Sequence, residues 1–225
     1  MAYLGCLPLV IVFLLFILLP FFFANFLLAA LGKLGLSPEM ALLAVVGMLF
    51  GGTIDIPIKR IPRDETVFFD PFAVFGFGRM FPGLLRTRRY TTLAVNLGGC
   101  LVPCVLAVYE ITRVIQQGPH AALVLLLVSV LNIVVCYRMA RPTPGIGILM
   151  PGLIPPLFAA IPTILLIPDF APPVAFVAGV LGPLVGADLL HLSEVKNIAT
   201  GTASIGGAGT FDGIVLSGLF AALLA

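Results

Sequence analysis

Asp188 and Asp212 are carboxylates set in apolar, glycine-rich surroundings. They lie in the stretches Gly186-Ala187-Asp188-Leu189-Leu190-His191 and Ser204-Ile205-Gly206-Gly207-Ala208-Gly209-Thr210-Phe211-Asp212-Gly213. A charge at the centre of a membrane helix costs about 2.5–3.5 kcal/mol on insertion scales, so such a residue points to function by default. Two carboxyls brought close cannot both ionise cheaply. The pair then shares a proton, and one member serves as base while the other serves as acid. That arrangement suits activating water for attack on a peptide carbonyl. It also suits proton-coupled transport, in which a carboxyl is alternately protonated and exposed. A third reading adds His191, on the helix face of Asp188, to make a cation site, with the metal left open. A fourth has each aspartate do no more than cap or hydrogen-bond a broken helix.

The remaining acids have nearer explanations. Glu110 precedes Arg113 at i,i+3 near a helix end, which predicts an interfacial ion pair. Asp55 precedes Lys59 at i,i+4 at the end of an apolar segment, which predicts pairing, with a third wall of a polar cavity as the alternative. The four cysteines (Cys6, Cys100, Cys104 and Cys136) fall within apolar stretches with no zinc-type spacing and read as small buried hydrophobes. Nothing points to haem, flavin, nucleotide or zinc. There are two histidines, and the glycine-rich run before Asp212 lacks the lysine of a phosphate-binding loop.

The elements that position these residues follow from composition. Of 225 residues, 60% are apolar and 10% charged, and the mean hydropathy is +1.20. A soluble domain carries roughly 25% charged residues. This chain cannot coat a water-facing surface, which excludes a cytosolic domain, a disordered region and a nucleic-acid binder. An all-α, polytopic membrane protein is expected, a single transmembrane domain over 1–225.

A membrane-crossing helix needs about 20 apolar residues. Charge-free runs at 1–32, 90–109, 114–137, 142–168 and 170–187, with shorter candidates at 40–54 and 204–225, predict seven helices. Their centres fall near residues 20, 48, 101, 128, 157, 180 and 215. The second is entered by Ser37-Pro38-Glu39, a helix-start signal. The first is too long, and lacks the preceding basic residue, for a cleavable signal.

Lys and Arg set the orientation. The 59–89 segment holds Lys59, Arg60, Arg63, Arg79, Arg86, Arg88 and Arg89, and alternating from it gives its side ten of the twelve bases. The positive-inside rule places that side, and the amino terminus, in the cytoplasm, with the carboxyl terminus outside. The same segment interleaves its bases with six phenylalanines, Phe68 to Phe81. It reads as a loop on anionic headgroups, or as a lid or partner-docking element. Membrane lipids are the expected partners, with a membrane-embedded peptide or small solute as the expected guest; the cell membrane, crossed several times, is the expected location.

Between 142 and 173 there are nine prolines, among them Pro144, Pro151, Pro155, Pro156 and Pro162 in the fifth span. Each internal proline removes a backbone donor and crowds the preceding turn. In lipid such breaks survive only where protein or trapped water satisfies the freed carbonyls. A kinked or discontinuous fifth helix facing the bundle interior is expected, with Pro151 and Pro155 supporting the site. Gly207, Gly209 and Gly213 are expected to let helices six and seven approach. Gly179, Gly182, Pro183 and Gly186 mark a close-packing face on the sixth helix.

The stretches Ala94-Val95-Asn96-Leu97-Gly98-Gly99, Pro144-Gly145-Ile146-Gly147, Pro151-Gly152-Leu153-Ile154-Pro155-Pro156, Gly186-Ala187-Asp188 and Gly206 to Gly213 resemble a family of bacterial and archaeal integral membrane proteins known as a domain of unknown function. That resemblance covers nearly the whole chain and implies a compact membrane protein without assigning an activity. The order of Asp188 and Asp212 on consecutive helices also resembles the intramembrane aspartyl proteases of the presenilin and signal peptide peptidase type. There, a glycine-rich motif precedes the second aspartate. Here Thr210 and Phe211 separate Gly207-Ala208-Gly209 from Asp212, and no tyrosine precedes Asp188. This second resemblance implies a catalytic dyad of Asp188 and Asp212 acting on membrane-embedded peptides. A proton- or cation-coupled permease and a non-catalytic subunit of a membrane complex are the alternatives.

Overall fold

The structure, a computed structural model, describes residues 7–69, 83–143, 147–197, 201–208 and 212–225. The chain is mostly helical. Helix α1 spans Leu7–Lys33 and α2 Pro38–Gly51. Ser37 caps α2 by accepting the Met40 N–H, with Pro38 in the first turn, where its missing donor costs nothing. Strands β1 (Asp55–Phe69) and β2 (Gly83–Asn96) then form an antiparallel ribbon. A π-helical turn, Leu97–Leu101, leads into α3 (Val102–Gln116), followed by α4 (Pro119–Met139). A short hairpin of β3 (Arg141–Thr143) and β4 (Gly147–Leu149) precedes α5 (Ile154–Leu166). Helix α6 (Ala171–Leu181) continues through a π-helical segment, Gly182–Asp188, and a 3-10 segment, Leu189–Asn197. Strand β5 (Thr202–Ile205) pairs in parallel with β2, and α7 (Gly213–Leu224) closes the order.

Three helical stretches are long and apolar enough to cross a membrane: Leu97–Gln116, Pro119–Met139 and Pro168–Val195. The outward faces of these helices carry large apolar side chains, such as Val105, Leu126, Leu127 and Val130.

The all-helical expectation holds for the bundle and fails at one end of it. Of the expected loop over 59–89, residues up to Phe69 and from Gly83 are strand, while 70–82 lie outside the described residues. Pro57 and Pro62 are compatible with this because β1 is an outer strand in the order β1-β2-β5. The expected third span, 90–109, is also displaced. Tyr90 to Asn96 are extended, and the helix begins at Leu97 and runs on past Glu110 and Arg113. β-branched and aromatic residues (Tyr90, Thr91, Thr92, Val95) fit a pleated strand, and Asn96 starts the helix by accepting the Gly99 N–H at 2.7 Å. The fifth span is discontinuous as expected: prolines at 142 and 151 keep the chain before Ile154 out of a helix.

All the strands attach to one end of the bundle. They follow the carboxyl ends of α2, α4 and α6 and precede the amino ends of α3, α5 and α7. The other end holds tight links and a polar clamp. There, Lys33 donates to the carbonyl of Leu223 at 2.6 Å, capping α7. Arg113 bonds both carboxylate oxygens of the fully buried Glu110, at 3.2 and 3.0 Å, and the carbonyl of Leu34. The expected Glu110–Arg113 pair is thus present, with its acid inside the protein.

Helix α6 is the central rod, and every residue from Val174 to Val180 is buried. A Cβ on Gly179 would sit 2.7 Å from the Ser217 carbonyl oxygen of α7, and one on Gly218 would sit 2.6 Å from Val180. Side chains at Gly182 and Gly186 would collide with Asn132 and with the Ile133 carbonyl of α4. The close-packing face expected on the sixth helix is present, directed at both neighbours.

Candidate functional site

Asp188 ends the π-helical segment of α6. Pro183 has no N–H for the carbonyl one turn back, and its ring crowds that carbonyl; a wider π turn accommodates both. Asn132 of α4 donates at 2.8 Å to the Ala178 carbonyl nearby, which also accepts the Gly182 N–H. The widened turn therefore has a sequence cause, and it sets where Asp188 emerges.

Asp212 is the N-cap of α7, not a residue about two turns inside a helix beginning near Ser204. Its carboxylate accepts the Ile214 N–H at 2.9 Å and the Ala208 N–H at 3.4 Å. The reason is local. Glycine is a poor helix former, the segment 202–205 is drawn into the sheet, and aspartate is a strong N-cap.

The turn after β5 links the two acids. The Gly206 N–H donates to Asp188, and the Ala208 N–H to Asp212, so both carboxylates grip one short stretch of backbone. Gly206 makes this turn available: its φ of +74° is left-handed, and a Cβ there would sit 2.6 Å from the Gly99 carbonyl carbon and 2.7 Å from the Cys100 nitrogen.

Asp188 and Asp212 line a single cavity of about 480 Å³, together with Asp55, residues Thr202 to Ala208, Gly147 and Ile148 of β4, and Leu192 and Val195. Among the described residues of this wall there is no cationic side chain. Asp55 is the third carboxylate. Its Oδ1 accepts the Ser204 hydroxyl at 2.6 Å and the Asn96 side-chain amide at 3.0 Å. The expected pairing with Lys59 fails because Asp55 starts a strand; residues four apart there are about 13 Å apart rather than one helical turn.

The other expected site residues divide. Gly207 lines the cavity. Gly213 opens α7 beside Met150, where a Cβ would meet only ordinary contact at 3.6 Å, so close approach does not require it. Gly209 lies outside the described residues. His191 is turned away: its Nδ1 lies 3.1 and 2.9 Å from the carbonyls of Gly186 and Ala187, and its ring packs on Tyr137 at 4.9 Å. Both partners are acceptors, so Nδ1 carries the proton and His191 ties off carbonyls around the π turn. It is not among the residues lining the cavity, which removes the cation site built from Asp188, His191 and Asp212. Among the described residues, no group of three metal-binding side chains is close enough to hold an ion. Pro151 is exposed and Pro155 is buried in the first turn of α5; neither lines the cavity. The β3–β4 hairpin walls it where helix five was expected.

Asn96, Ser204 and Gly206 were not singled out by sequence reasoning for the site. Asn96 holds Asp55 and the start of the α3 helix together, and also donates to the Gly52 carbonyl at 2.9 Å. Its one sequence signal is asparagine just before Leu97-Gly98-Gly99, an N-cap pattern.

Residues 49–224 match the family described as "Protein of unknown function (DUF1614)", and the chain belongs to that family. No curated protein and no solved structure matches it.

Proposed function

We propose that the protein is a multi-pass protein of the cell membrane whose Asp188 and Asp212 act as an aspartyl-protease-like pair on membrane-embedded peptides. The observation that carries this reading is the shared cavity: both carboxylates line it, and both are anchored on one turn. With one carboxyl ionised and the other protonated, the ionised one takes a proton from water as its oxygen attacks the peptide carbonyl. The protonated one delivers its proton to the carbonyl oxygen. Collapse of the tetrahedral intermediate then breaks the C–N bond, with a proton passing to the leaving amine.

In this reading seven helices cross the membrane and the strand-bearing end faces the cytoplasm, because nine of the eleven Lys and Arg residues among the described ones belong to that end. Helix α7 has 12 residues, about 18 Å of rise against a hydrocarbon core of about 30 Å. Its N-cap Asp212 then lies below the membrane surface. Strands β3, β4 and β5 place non-helical backbone at that depth, which is tolerated where it lines a water-filled cavity. Water for hydrolysis is thus supplied by the same feature that breaks the helices.

The test is cleavage of a membrane-embedded reporter peptide by purified protein in proteoliposomes, read by mass spectrometry. Loss of cleavage in Asp188→Asn and Asp212→Asn supports the reading; undiminished cleavage in either, or none by the unaltered protein, removes it. A proton- or cation-coupled permease is the second reading, favoured by a cavity wall with three carboxylates and no described cation. It predicts solute uptake driven by a pH gradient without cleavage.

A further inference from the structure

Strand β5 is an edge strand whose open side belongs to the cavity. The sheet order is β1-β2-β5, and no strand covers the far side of β5 among the described residues. Its pairing with β2 fixes which of its amides point where. The Thr92 N–H bonds the Gly201 carbonyl at 3.0 Å, and Thr92 stands opposite Thr202. In a parallel ladder this register turns the backbone groups of Ala203 and Ile205 toward β2 and those of Thr202 and Ser204 away from it. Of the latter, the Ser204 carbonyl is taken by the Gly207 N–H at 3.1 Å. Thr202 to Ser204 line the cavity that also holds Asp188 and Asp212.

We propose that this edge binds an extended polypeptide segment by strand addition, and that the segment carries a lysine or arginine. Strand addition supplies affinity through main-chain hydrogen bonds and specificity through the side chains that flank them. The cavity volume of about 480 Å³ is within the range of guest-binding sites. Charge names the guest's side chain: the wall carries Asp55, Asp188 and Asp212 and no described cation. The inference deepens the proteolytic reading and rests on it for the site, since a backbone laid along β5 is delivered beside both carboxylates. With the strand-bearing end in the cytoplasm, the fitting guest is the unwound cytoplasmic end of a membrane helix, where Lys and Arg concentrate.

The test uses full-length protein in lipid nanodiscs and a short fluorescent peptide of alternating Thr and Val with one central Lys. Two further forms carry N-methyl groups on one or the other alternate set of amides, and a fourth replaces Lys with Glu. Strand addition predicts that one methylated form binds about tenfold more weakly while the other binds like the parent, and that the Glu form also loses about tenfold. Equal binding by both methylated forms, equal loss in both, equal binding by the Glu form, or no binding of the parent overturns the proposal. Thr202→Pro removes an N–H that β2 does not use, and is expected to abolish binding; if it does not fold, the methylated peptides still decide. Binding is also measured with Asp212→Asn, inactive under the proteolytic reading. Register-selective binding there, combined with no cleavage by the unaltered protein, upholds strand addition and removes proteolysis.

Discussion

Asp55 Oδ1 accepts the hydroxyl of Ser204 at 2.6 Å, a bond between residues 149 positions apart in the chain. It ties the first residue of β1 to β5 across β2, and it forms part of the wall of the cavity that contains Asp188 and Asp212. Asp55 is thereby a positioning residue: it holds the strand that carries the Gly206–Ala208 turn, and the turn holds the two acids.

A double-mutant cycle on Asp55→Asn and Ser204→Ala measures that link. A hydrogen bond to a charged group contributes about 1.5–3 kcal/mol, and a coupling energy of that order is expected in unfolding measurements in detergent. Strictly additive effects would show that the bond does not hold β5.

Asp212 has two roles that substitution separates. Asp212→Asn keeps a good N-cap and is expected to leave stability nearly unchanged while lowering peptide cleavage by about 100-fold or more. Asp212→Ala is expected to lose the cleavage and about 1 kcal/mol of stability as well. Equal thermal stability of the two variants would contradict the capping role.

The glycines around the site are unequal. Gly206→Ala puts a Cβ against the Gly99–Cys100 backbone at a left-handed φ and is expected to cost about 1–3 kcal/mol or prevent folding. Gly213→Ala meets only Met150 at 3.6 Å and is expected to change stability by less than about 0.5 kcal/mol. Comparing their unfolding midpoints checks both.

At the opposite end, Arg113→Ala leaves Glu110 buried without its partner and the Leu34 carbonyl without this donor. A loss of about 3–5 kcal/mol is expected. Pairing it with Glu110→Gln removes the stranded charge and is expected to recover part of that loss. A double variant as unstable as Arg113→Ala alone would argue that the pair's charge is not what holds the clamp.

The sequence by itself determined the apolar helices, the start of α2 at Ser37-Pro38, the break before α5, the close-packing face of α6 and the pairing of Glu110 with Arg113. Each is a local matter of composition, capping, proline chemistry or i,i+3 spacing, and needs no knowledge of distant chain. It also marked Asp188 and Asp212 as the acids to follow, because both stand in apolar, glycine-rich runs. Only the tertiary structure decided what surrounds them. Thr202–Ile205 is a strand because β2 lies beside it, so the helix after it starts at Gly213 and Asp212 becomes a cap. Asp55 leaves Lys59 for Ser204 because a strand, unlike a helix, does not bring residues four apart together. His191 leaves the aspartates because carbonyls around the π turn claim its proton. These outcomes are set by partners far away in the chain, and periodicity carries no record of them.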